Sequence, residues 1–369
     1  MAERKSALEG VEGLMVDLNF YKGRTVLVTG HTGFKGAWLC RILIGLGANV
    51  IGYSLDPPTE PNLFTLSDIK RNMMSIIGDV RDYEKLNSVF EKYKPQCVFH
   101  LAAQPLVCDG YAYPRYTYDV NVMGTVNVLE CVRSSSYVKS FLNVTTDKVY
   151  YNEDDPERSF KEDDPLDGYD PYSNSKSCSE LVTHSYKKSF FSDTRCAIST
   201  VRAGNVIGGG DFATNRIIPD CVRAVMRGEN IIVRNPFSVR PYQHVLEPLF
   251  VYLDIVEKQF HDIRYADYYN VGPDECDCIC TGDLVTKFCK AWGDGINWID
   301  KSDNGPHEAA YLRLDNKKIK TVFGWTPHWH MDDAIKMVVS WTKAYCRDKN
   351  GIPNEMSDEI KNYLNGVIG

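Results

Sequence analysis

The sequence predicts an α/β protein built on a doubly wound parallel sheet, with a smaller carboxyl-terminal α/β lobe. Three observations predict it: β-rich runs alternate with helical patterns, a glycine-rich loop follows the first run, and the alternation loosens beyond about residue 208. Alternating strands and helices form right-handed βαβ units, and helices then cover both faces of the sheet. The predicted strands are residues 25–29, 49–53, 74–77, 97–101, 140–145 and 197–203.

The first helix is predicted by apolar residues between 38 and 46, which recur at helical spacing. Gly47 stands where a C-cap would fall. Later in the chain, Pro219 opens another helical pattern and residues 231–234 form a short strand. With loops rich in Pro, Asn and Asp, these features predict a smaller lobe over the carboxyl ends of the strands, where open α/β sheets bind ligands.

Composition limits the class of protein. The chain has 369 residues, 43% hydrophobic and 25% charged, which is ordinary for a globular protein with a substantial core. Its formal net charge of -7 argues against nucleic acid, because proteins that bind it neutralise phosphates with surplus Lys and Arg. Residues 1–21 mix charged and isolated apolar residues, and offer neither a signal peptide nor a membrane span. We predict a cytoplasmic protein without nucleic-acid or membrane partners.

The twelve cysteines are scattered through the predicted strands and helices, which is typical of reduced thiols. Cys276, Cys278 and Cys280 form the one close group in the sequence. Alternate residues of a strand share a face, so three thiolates could meet a soft metal, but no fourth Cys or His follows at zinc-like spacing. We predict structural thiols and no metal site.

A G-x-x-G-x-x-G loop follows the first predicted strand. Glycines at these points allow a tight turn and let the backbone approach a pyrophosphate, which the N–H groups of the next helix then face. The alternative is a glycine turn without a ligand, but a position between a strand and an amphipathic helix favours dinucleotide binding. The residues expected at the cofactor are Gly30, Thr32, Gly33, Phe34, Lys35 and Gly36.

Further cofactor contacts are expected at the ends of neighbouring strands, although each such residue alone is also consistent with an ordinary strand end. Asp79 could receive the adenine amino group, and small residues after the fourth strand suit a flat ring. Ser54 or Asp56 stands where ribose hydroxyls bind, and the lack of an arginine for a 2′-phosphate favours NAD over NADP. The residues assigned here are Ser54, Asp79, Val80, Leu101, Ala102, Ala103 and Gln104.

These patterns divide the chain into three parts. Residues 1–21 are an N-terminal extension, and residues 22–207 form a Rossmann domain to which a segment near 236–272 returns. Residues 208–235 and 273–369 form the smaller lobe. The ligand site is expected in the cleft between the two.

The chemical centre of the sequence is a Tyr-x-x-x-Lys pair. Pro171 suits the first position of a helix, so Tyr172 and Lys176 fall one turn apart on one face. A tyrosine has an ordinary pKa of about 10, and becomes a base near neutral pH only where positive charge stabilises the phenolate. Lys176 and an oxidised nicotinamide can supply that charge. The alternative is a surface pair on an amphipathic helix, but the upstream dinucleotide loop favours catalysis.

Three polar residues follow the fifth predicted strand. The carboxyl end of that strand points at the nicotinamide, so the Thr146 hydroxyl can share an alcohol's proton with Tyr172. Asp147 and Lys148 exceed what simple dehydrogenation needs, and suggest additional proton transfers. The alternative is that these two residues form a salt bridge or cap the strand end.

Together these residues resemble the extended short-chain dehydrogenases/reductases that act on nucleotide sugars. Longer stretches resemble the nucleotide-sugar 4,6-dehydratases, and within them the branch that acts on CDP-glucose. The resemblance covers nearly everything from residue 22 to about residue 345. The stretches that carry it are residues 30–36, 121–125, 169–176, 201–211, 240–249 and 306–309.

The resemblance implies an internal redox cycle with NAD as the cofactor. Tyr172 would take the proton of the C4 hydroxyl as hydride passes to NAD. The C5 proton and the C6 hydroxyl would then leave, with Asp147 as the acid for departing water, and hydride would return to C6. Asn121 and Thr145 are also expected at the cofactor.

One residue departs from the wider dehydratase pattern. dTDP-glucose dehydratases have a glutamate where this chain has Lys148, which favours CDP over dTDP and leaves the C5 base open. A lysine acts as a base only if burial and neighbouring positive charge lower its pKa from about 10.4 toward neutrality. Otherwise Lys148 would stabilise the developing enolate.

The resemblance further implies that the smaller lobe binds a nucleotide sugar, with CDP-glucose as the substrate and a homodimer or homotetramer as the assembly. Arg240 is the best match for a phosphate ligand, although any single arginine can also be a solvated surface charge. The residues expected at the substrate are Gln104, Asn205, Arg216, Arg234, Arg240, His244 and His307. Rival functions are a nucleotide-sugar C4 epimerase, a 4,6-dehydratase for another nucleotide hexose, and a dinucleotide sensor without turnover.

Overall fold

A computed structural model describes residues 17–192, 196–302 and 309–368, and its central element is a seven-stranded parallel sheet. The strands are, in chain order, β1 (Thr25–Thr29), β2 (Asn49–Ser54), β3 (Met74–Ile77), β4 (Cys97–His100), β5 (Ser140–Val144), β6 (Ala197–Ala203), β7 (Val206–Ile207), β8 (Ile231–Val233), β9 (Val239–Pro241), β10 (Gln243–His244), β11 (Tyr268–Val271), β12 (Cys278–Cys280) and β13 (Trp298–Asp300). The spatial order of the main sheet is β11-β6-β5-β4-β1-β2-β3. The order reverses between β1 and β4, which creates the crevice where such sheets bind ligands.

Helices cover both faces of this sheet. They are α1 (Phe34–Gly45), α2 (Leu63–Leu66), α3 (Tyr83–Tyr93), α4 (Val107–Ala112), α5 (Pro114–Tyr118), α6 (Gly124–Ser134), α7 (Pro171–Phe190), α8 (Ile217–Arg227), α9 (Leu246–His261), α10 (Thr281–Trp292), α11 (Lys317–Phe323), α12 (Met331–Arg347) and α13 (Ile352–Ile368). One hydrophobic cluster contains side chains of α1, α9, α11 and α13, and a second contains those of α3 and α6 with α7 against it. The predicted doubly wound α/β fold is confirmed.

The predicted elements agree with the structure to within two residues. β2 extends one residue further than predicted, and β4 and β5 each end one residue earlier. Gly47 follows the C-cap of α1 with a φ of 75°, which glycine adopts without steric cost. α8 begins at Ile217, ahead of Pro219, because the N–H groups of a first helical turn have no acceptor within the helix and proline is tolerated there.

Both ends of the described chain pack against the sheet layer. Leu18–Tyr21 forms a short 3-10 turn, and the Tyr21 hydroxyl donates a 2.7 Å hydrogen bond to the carbonyl of Leu253 on α9. Side chains of α13, such as Met356, share one cluster with those of α1 and α9. The carboxyl-terminal helices, which the sequence predicts within the smaller lobe, therefore also complete the core against the sheet.

The smaller lobe combines helices with short pairs of strands. α8, α10 and α12 share a hydrophobic cluster, and β8 pairs with β13 and β9 with β12. β7 and β10 pair in parallel where the chain leaves the main sheet. No helix in the described part of the chain has the length and apolar character that a membrane span requires.

Gly209 joins the sheet layer to the carboxyl-terminal helices. Its carbonyl accepts a 3.0 Å hydrogen bond from the indole of Trp38 on α1. A Cβ at this position would lie 2.0 Å from Cγ of Trp341 on α12. Trp38 and Trp341 can therefore both pack against the backbone at residue 209 because that backbone carries no side chain.

Replacing Gly209 by Ala should destabilise the protein by about 1–3 kcal/mol, because the added methyl group has no room beside Trp341. Gly351→Ala is the matched control, since its Cβ would meet no heavy atom closer than 3.5 Å. Denaturant unfolding measures both variants. Equal free energies of unfolding would contradict the packing described here.

Candidate active site

The glycine loop brings the start of α1 against the ends of β1 and β4. Gly30 has a φ of 77°, and a Cβ on it would lie 2.8 Å from the backbone nitrogen of Ala102. A Cβ on Gly36 would lie 2.1 Å from the carbonyl oxygen of Gly30. Gly33 is the N-cap of α1 and makes no side-chain cap bond, so Phe34 and the residues after it begin the helix with N–H groups toward the crevice. This geometry fits a dinucleotide pyrophosphate.

The end of β2 is tied to the same loop. The Thr32 hydroxyl is 2.9 Å from the Ser54 hydroxyl and donates to the carbonyl of Leu55 at 2.9 Å. Ser54 is buried, whereas Asp56 is exposed. Ser54 is therefore held at the end of β2 by the loop.

The predicted adenine-side residues lie after β3. The Asp79 carboxylate forms a 2.7 Å ion pair with Arg81. The backbone carbonyl of Asp79 accepts a 2.9 Å hydrogen bond from the Tyr53 hydroxyl. Val80 is buried against Gly124, at which a Cβ would come within 2.7 Å of the valine. These contacts shape the rim of the crevice beyond β3.

The loop after β4 is held by two side-chain amides, those of Gln104 and Asn121. Leu101, Ala102 and Ala103 are half-buried at its start. The amide of the buried Gln104 joins the loop to α5: Nε2 donates to Thr117 of α5 at 2.9 Å, and Oε1 accepts from the Leu106 N–H at 2.5 Å. Both polar atoms of the Gln104 side chain, Nε2 and Oε1, therefore have hydrogen-bond partners within the protein.

Asn121 makes the connection from this loop to α7. Its Oδ1 accepts from the Gln104 N–H at 2.8 Å, and its Nδ2 donates to the Gln104 carbonyl at 3.1 Å and to the Ser175 hydroxyl at 2.9 Å. Ser175 lies on α7 between Tyr172 and Lys176. Asn121 thus positions the helix that carries the tyrosine and the lysine.

Helix α7 begins as the sequence predicts. Pro171 is its first residue, and the Asp170 carboxylate caps it by accepting from the Tyr172 and Ser173 N–H groups at 3.0 Å each. Lys176 is buried, and its Nζ donates to the carbonyl of Val144 at the end of β5 at 3.0 Å. Burial lowers the pKa of Lys176 to about 8.

Tyr172, Thr146 and Asp147 form one hydrogen-bonded chain. The phenol of Tyr172 is hydrogen-bonded to the Thr146 hydroxyl, which donates to Asp147 Oδ1 at 2.9 Å. Burial raises the pKa of Tyr172 to about 12, against the opposing effects of Thr146 and Arg216. Without further positive charge the phenol keeps its proton, so an oxidised nicotinamide is needed to make it a base.

Asp147 is buried beside Lys148. Burial raises the pKa of the Asp147 carboxyl, while Lys148 and the Thr146 hydroxyl act to lower it. The half-buried Lys148 donates its backbone N–H to Thr146 at 3.4 Å, within the short 3-10 turn Asp147–Val149. A carboxyl that keeps its proton in this place can serve as a general acid.

Lys35 lies closer to these groups than the sequence indicates. It is the second residue of α1, and burial together with the charges of Arg216 and Lys176 lowers its pKa to about 8. Asp147 acts in the opposite direction. Lys35 is therefore part of the glycine loop, and its charge also interacts with those of Lys176 and Asp147.

A buried ion pair beneath the site was not predicted from the sequence. Glu180, one turn after Lys176 on α7, accepts hydrogen bonds from the Thr145 hydroxyl, from Thr200 at 2.6 Å and from Arg202 at 3.1 Å. Burial opposes its ionisation, but Arg202 holds the pKa of Glu180 down at about 2. The spacing of four residues after Lys176 was the signal available in the sequence.

Arg202 links this ion pair to the segment between the turn Asp147–Val149 and α7. One of its nitrogens donates to the Tyr150 hydroxyl and to the carbonyl of Glu162, both at 2.8 Å. Tyr150 follows the turn that carries Asp147 and Lys148. The Arg202 guanidinium therefore links β6 to the segment that holds the proposed acid.

The predicted substrate residues divide into two groups. Asn205 is half-buried just after β6, and Arg216 forms a 3.2 Å ion pair with Asp211 while influencing Tyr172. Arg240 is buried on β9, donates to the carbonyls of Val239 at 2.9 Å and Ala310 at 3.3 Å, and acts electrostatically on Asp147. The structure brings Arg216 and Arg240 toward the catalytic groups.

The remaining candidates have different surroundings. Arg234 is half-exposed on the smaller lobe, 3.8 Å from Asp220, and donates to the side chain of Asn215, the neighbour of Arg216, at 3.2 Å. His244 is fully buried and lies 3.0 Å from Glu359 on α13, with its ring against Trp329. His244 is therefore in the core, and the structure does not bring it to the cleft. His307 lies outside the described residues.

Comparison with known proteins gives a consistent set of similarities. Residues 27–338 match the family model described as GDP-mannose 4,6 dehydratase. CDP-glucose 4,6-dehydratase of Salmonella typhimurium is 44% identical over 342 residues, which cover 91% of this chain and 95% of the relative. dTDP-D-glucose 4,6-dehydratase of Bos taurus is 26% identical over 86% of this chain and 88% of its own length.

Solved structures share the fold. UDP-glucose 4-epimerase of Thermotoga maritima, solved with UDP-glucose, has a TM-score of 0.76 at 21% identity, covering 87% of this chain and 99% of its own. dTDP-glucose 4,6-dehydratase of Bacillus anthracis, solved in complex with NAD, has a TM-score of 0.71 at 21% identity, covering 87% and 97%. At these identities the likeness concerns the fold alone.

Glu180→Gln should destabilise the protein by about 3–5 kcal/mol, because it leaves the buried Arg202 charge without its partner. The double variant Glu180→Leu with Arg202→Met should recover part of this loss, since no charge is left buried. Denaturant unfolding at neutral pH measures both.

The Glu180 contribution depends on pH with a defined sign. The folded pKa, about 2, lies below the ordinary value of 4.5, so the stabilisation is present above pH 4.5 and is lost as pH falls toward 2. The difference between wild type and Glu180→Gln should shrink over that range. A difference independent of pH would contradict the ion pair.

Proposed function

This chain belongs to the GDP-mannose 4,6 dehydratase family, and from that membership we propose that it catalyses the NAD-dependent 4,6-dehydration of CDP-glucose to CDP-4-keto-6-deoxyglucose. The observation that carries the proposal is the hydrogen-bonded chain of Tyr172, Thr146 and Asp147. A phenol that can take the proton of an alcohol and a buried carboxyl whose pKa is raised by burial lie in one connected site. A C4 epimerase needs the first of these groups but has no use for the second.

The crevice fits NAD by its own geometry. Gly30 in the left-handed region, the close approach of Gly36 and the open N-terminus of α1 would receive the pyrophosphate, and Ser54 stands where the adenosine ribose would lie. NAD supplies reversible hydride acceptance when it is bound. The protein residues supply binding, orientation and the proton transfers.

Tyr172 and Thr146 act on the C4 hydroxyl of the substrate during its oxidation. The Tyr172 oxygen receives the proton of that hydroxyl, and the Thr146 hydroxyl orients it through the bond the two side chains share. The buried Lys176, fixed at the carbonyl of Val144, adds positive charge one helical turn away. Oxidation at C4 makes the C5 hydrogen acidic, because the new carbonyl is adjacent to it.

Asp147 and Lys148 act in the loss of water across C5 and C6. The Asp147 carboxyl donates its proton to the departing C6 hydroxyl, a role that its raised pKa supports. Lys148 acts at C5 in one of two ways: its neutral amine takes the C5 proton, or its ammonium stabilises the enolate while another group takes that proton. Two proton-transfer groups beside a hydride-transfer site distinguish this arrangement from a plain dehydrogenase.

CDP-glucose as the particular substrate rests on two supports. Lys148 stands where dTDP-glucose dehydratases carry glutamate, and a CDP-glucose dehydratase is 44% identical over nearly the whole chain. Arg240 acts electrostatically on Asp147 and Arg216 on Tyr172, which makes these two guanidinium groups the candidates for binding the diphosphate. The homodimer or homotetramer stays a prediction.

Incubation of the full chain and NAD with CDP-, dTDP- and GDP-glucose tests the proposal directly. We expect the alkaline ultraviolet absorbance of a 4-keto-6-deoxy product, formed with the highest kcat/KM from CDP-glucose. Release of an epimerised hexose without loss of water would exclude the dehydratase. A preference for another nucleotide would correct the substrate but leave the reaction.

Two substitutions separate the proton transfers. Tyr172→Phe should lower turnover by about 10²–10⁴-fold and leave NAD binding intact, because only the proton acceptor is lost. Asp147→Asn should lower product formation by a similar factor while the C4 oxidation persists, seen as absorbance of reduced cofactor after CDP-glucose is added. Asp163→Asn, at an exposed carboxylate of the segment between the turn Asp147–Val149 and α7, is the control. Wild-type turnover in Tyr172→Phe would refute the assigned base.

A further inference from the structure

A thiol, a carboxylate and an imidazole converge on the smaller lobe, where the turn before β12 meets the start of α12. The ligand atoms of Cys276, Asp277 and His330 all lie within 4.8 Å of one another. His330 Nδ1 is 2.7 Å from Asp277 Oδ2, and Cys276 Sγ is 3.8 Å from the same oxygen. Among the described residues, this is the group of three or more His, Cys, Asp or Glu side chains whose ligand atoms lie within that distance of one another.

The backbone holds these three groups firmly. Asp277 closes the 3-10 turn Glu275–Asp277 and is itself buried, with Oδ1 accepting the Met331 N–H at 2.8 Å. Its second oxygen therefore points to Cys276 and His330. His330 is the N-cap residue of α12, so its position is set by a helix of seventeen residues. Cys276 and His330 are both exposed, which leaves an entry path for an ion.

We propose that Cys276, Asp277 and His330 bind a zinc-class divalent cation, with water as the fourth ligand. Thiolate and imidazole ligands select zinc and its neighbours over magnesium and calcium, which prefer oxygen. Binding releases the thiol proton of Cys276 and the proton that His330 shares with Asp277. The ion thus takes the place of the proton between the imidazole and the carboxylate.

The distances suit a tetrahedral ion after a small adjustment. Metal–ligand bonds of about 2.0–2.3 Å at the tetrahedral angle place ligand atoms about 3.3–3.7 Å apart. The thiol and carboxylate atoms are already 3.8 Å apart. The imidazole and carboxylate atoms, at 2.7 Å, must separate by about 0.6 Å, which a rotation of the exposed His330 ring can supply.

A simple ion pair is the competing explanation. Asp277 and His330 alone would join the turn to α12, but that pair does not explain why the Cys276 thiol approaches the same carboxylate oxygen. The turn also leads into β12, in which Ile279 pairs with Arg240 of β9. An ion here would stiffen the strand pair that carries Arg240.

Cobalt titration of the metal-stripped full chain tests the site. The background variant carries Cys108→Ser and Cys346→Ser, which removes the other exposed thiols of the described residues. We expect one equivalent of Co²⁺ to produce a thiolate charge-transfer absorbance. Cys276→Ser and His330→Gln should each abolish it, and Cys278→Ser, two residues along the chain, should retain it.

Thermal unfolding with and without Zn²⁺ gives a second measurement. We expect zinc to raise the Tm of the background variant and not that of its Cys276→Ser derivative, because only the folded site binds the ion. An ion pair alone would make His330→Gln lower the Tm equally with and without zinc, and that result would overturn the proposal. So would an absorbance of equal strength in Cys276→Ser.

Discussion

A carboxylate buried away from water has to find compensating donors, and at Glu180 they come from the elements around the catalytic groups. Thr145 lies at the end of β5 and Arg202 on β6, and both donate to Glu180 on α7. Arg202 also holds Tyr150 and the carbonyl of Glu162. Displacing any of these elements would cost a hydrogen bond to a buried charge, so the strand ends and the helix keep their relative positions.

Burial also determines how the site holds its protons. It raises the pKa values of Tyr172 and Asp147 and lowers that of Lys176. All three shifts disfavour the charged forms, which is the expected effect of removing ionisable groups from water. In the site, burial therefore favours the protonated forms of the Tyr172 phenol and of the Asp147 carboxyl. A positively charged nicotinamide beside Tyr172 would favour the phenolate, which couples cofactor binding to the activation of the base.

Several predicted residues support the site without offering a free polar group to a ligand. The Asn121 amide fastens the loop after β4 to α7, the Gln104 amide joins that loop to α5, and the Thr32 hydroxyl holds the end of β2. Their sequence context predicted that they lie at the cofactor crevice. Their hydrogen-bond partners, which come from distant parts of the chain, could not be predicted from local spacing.

Local patterns determined the parallel sheet, the glycine loop, and the helix that starts at Pro171, because periodicity and turn chemistry act over a few neighbouring residues. They also identified Tyr172, Lys176, Thr146 and Asp147, which stand at recognisable spacings. Only the tertiary structure decided what joins residues far apart in sequence: Glu180 with Arg202, His244 in the core, and His330 beside Cys276. Such pairs depend on how whole elements pack against one another, and the spacing of residues along a single chain does not encode that packing.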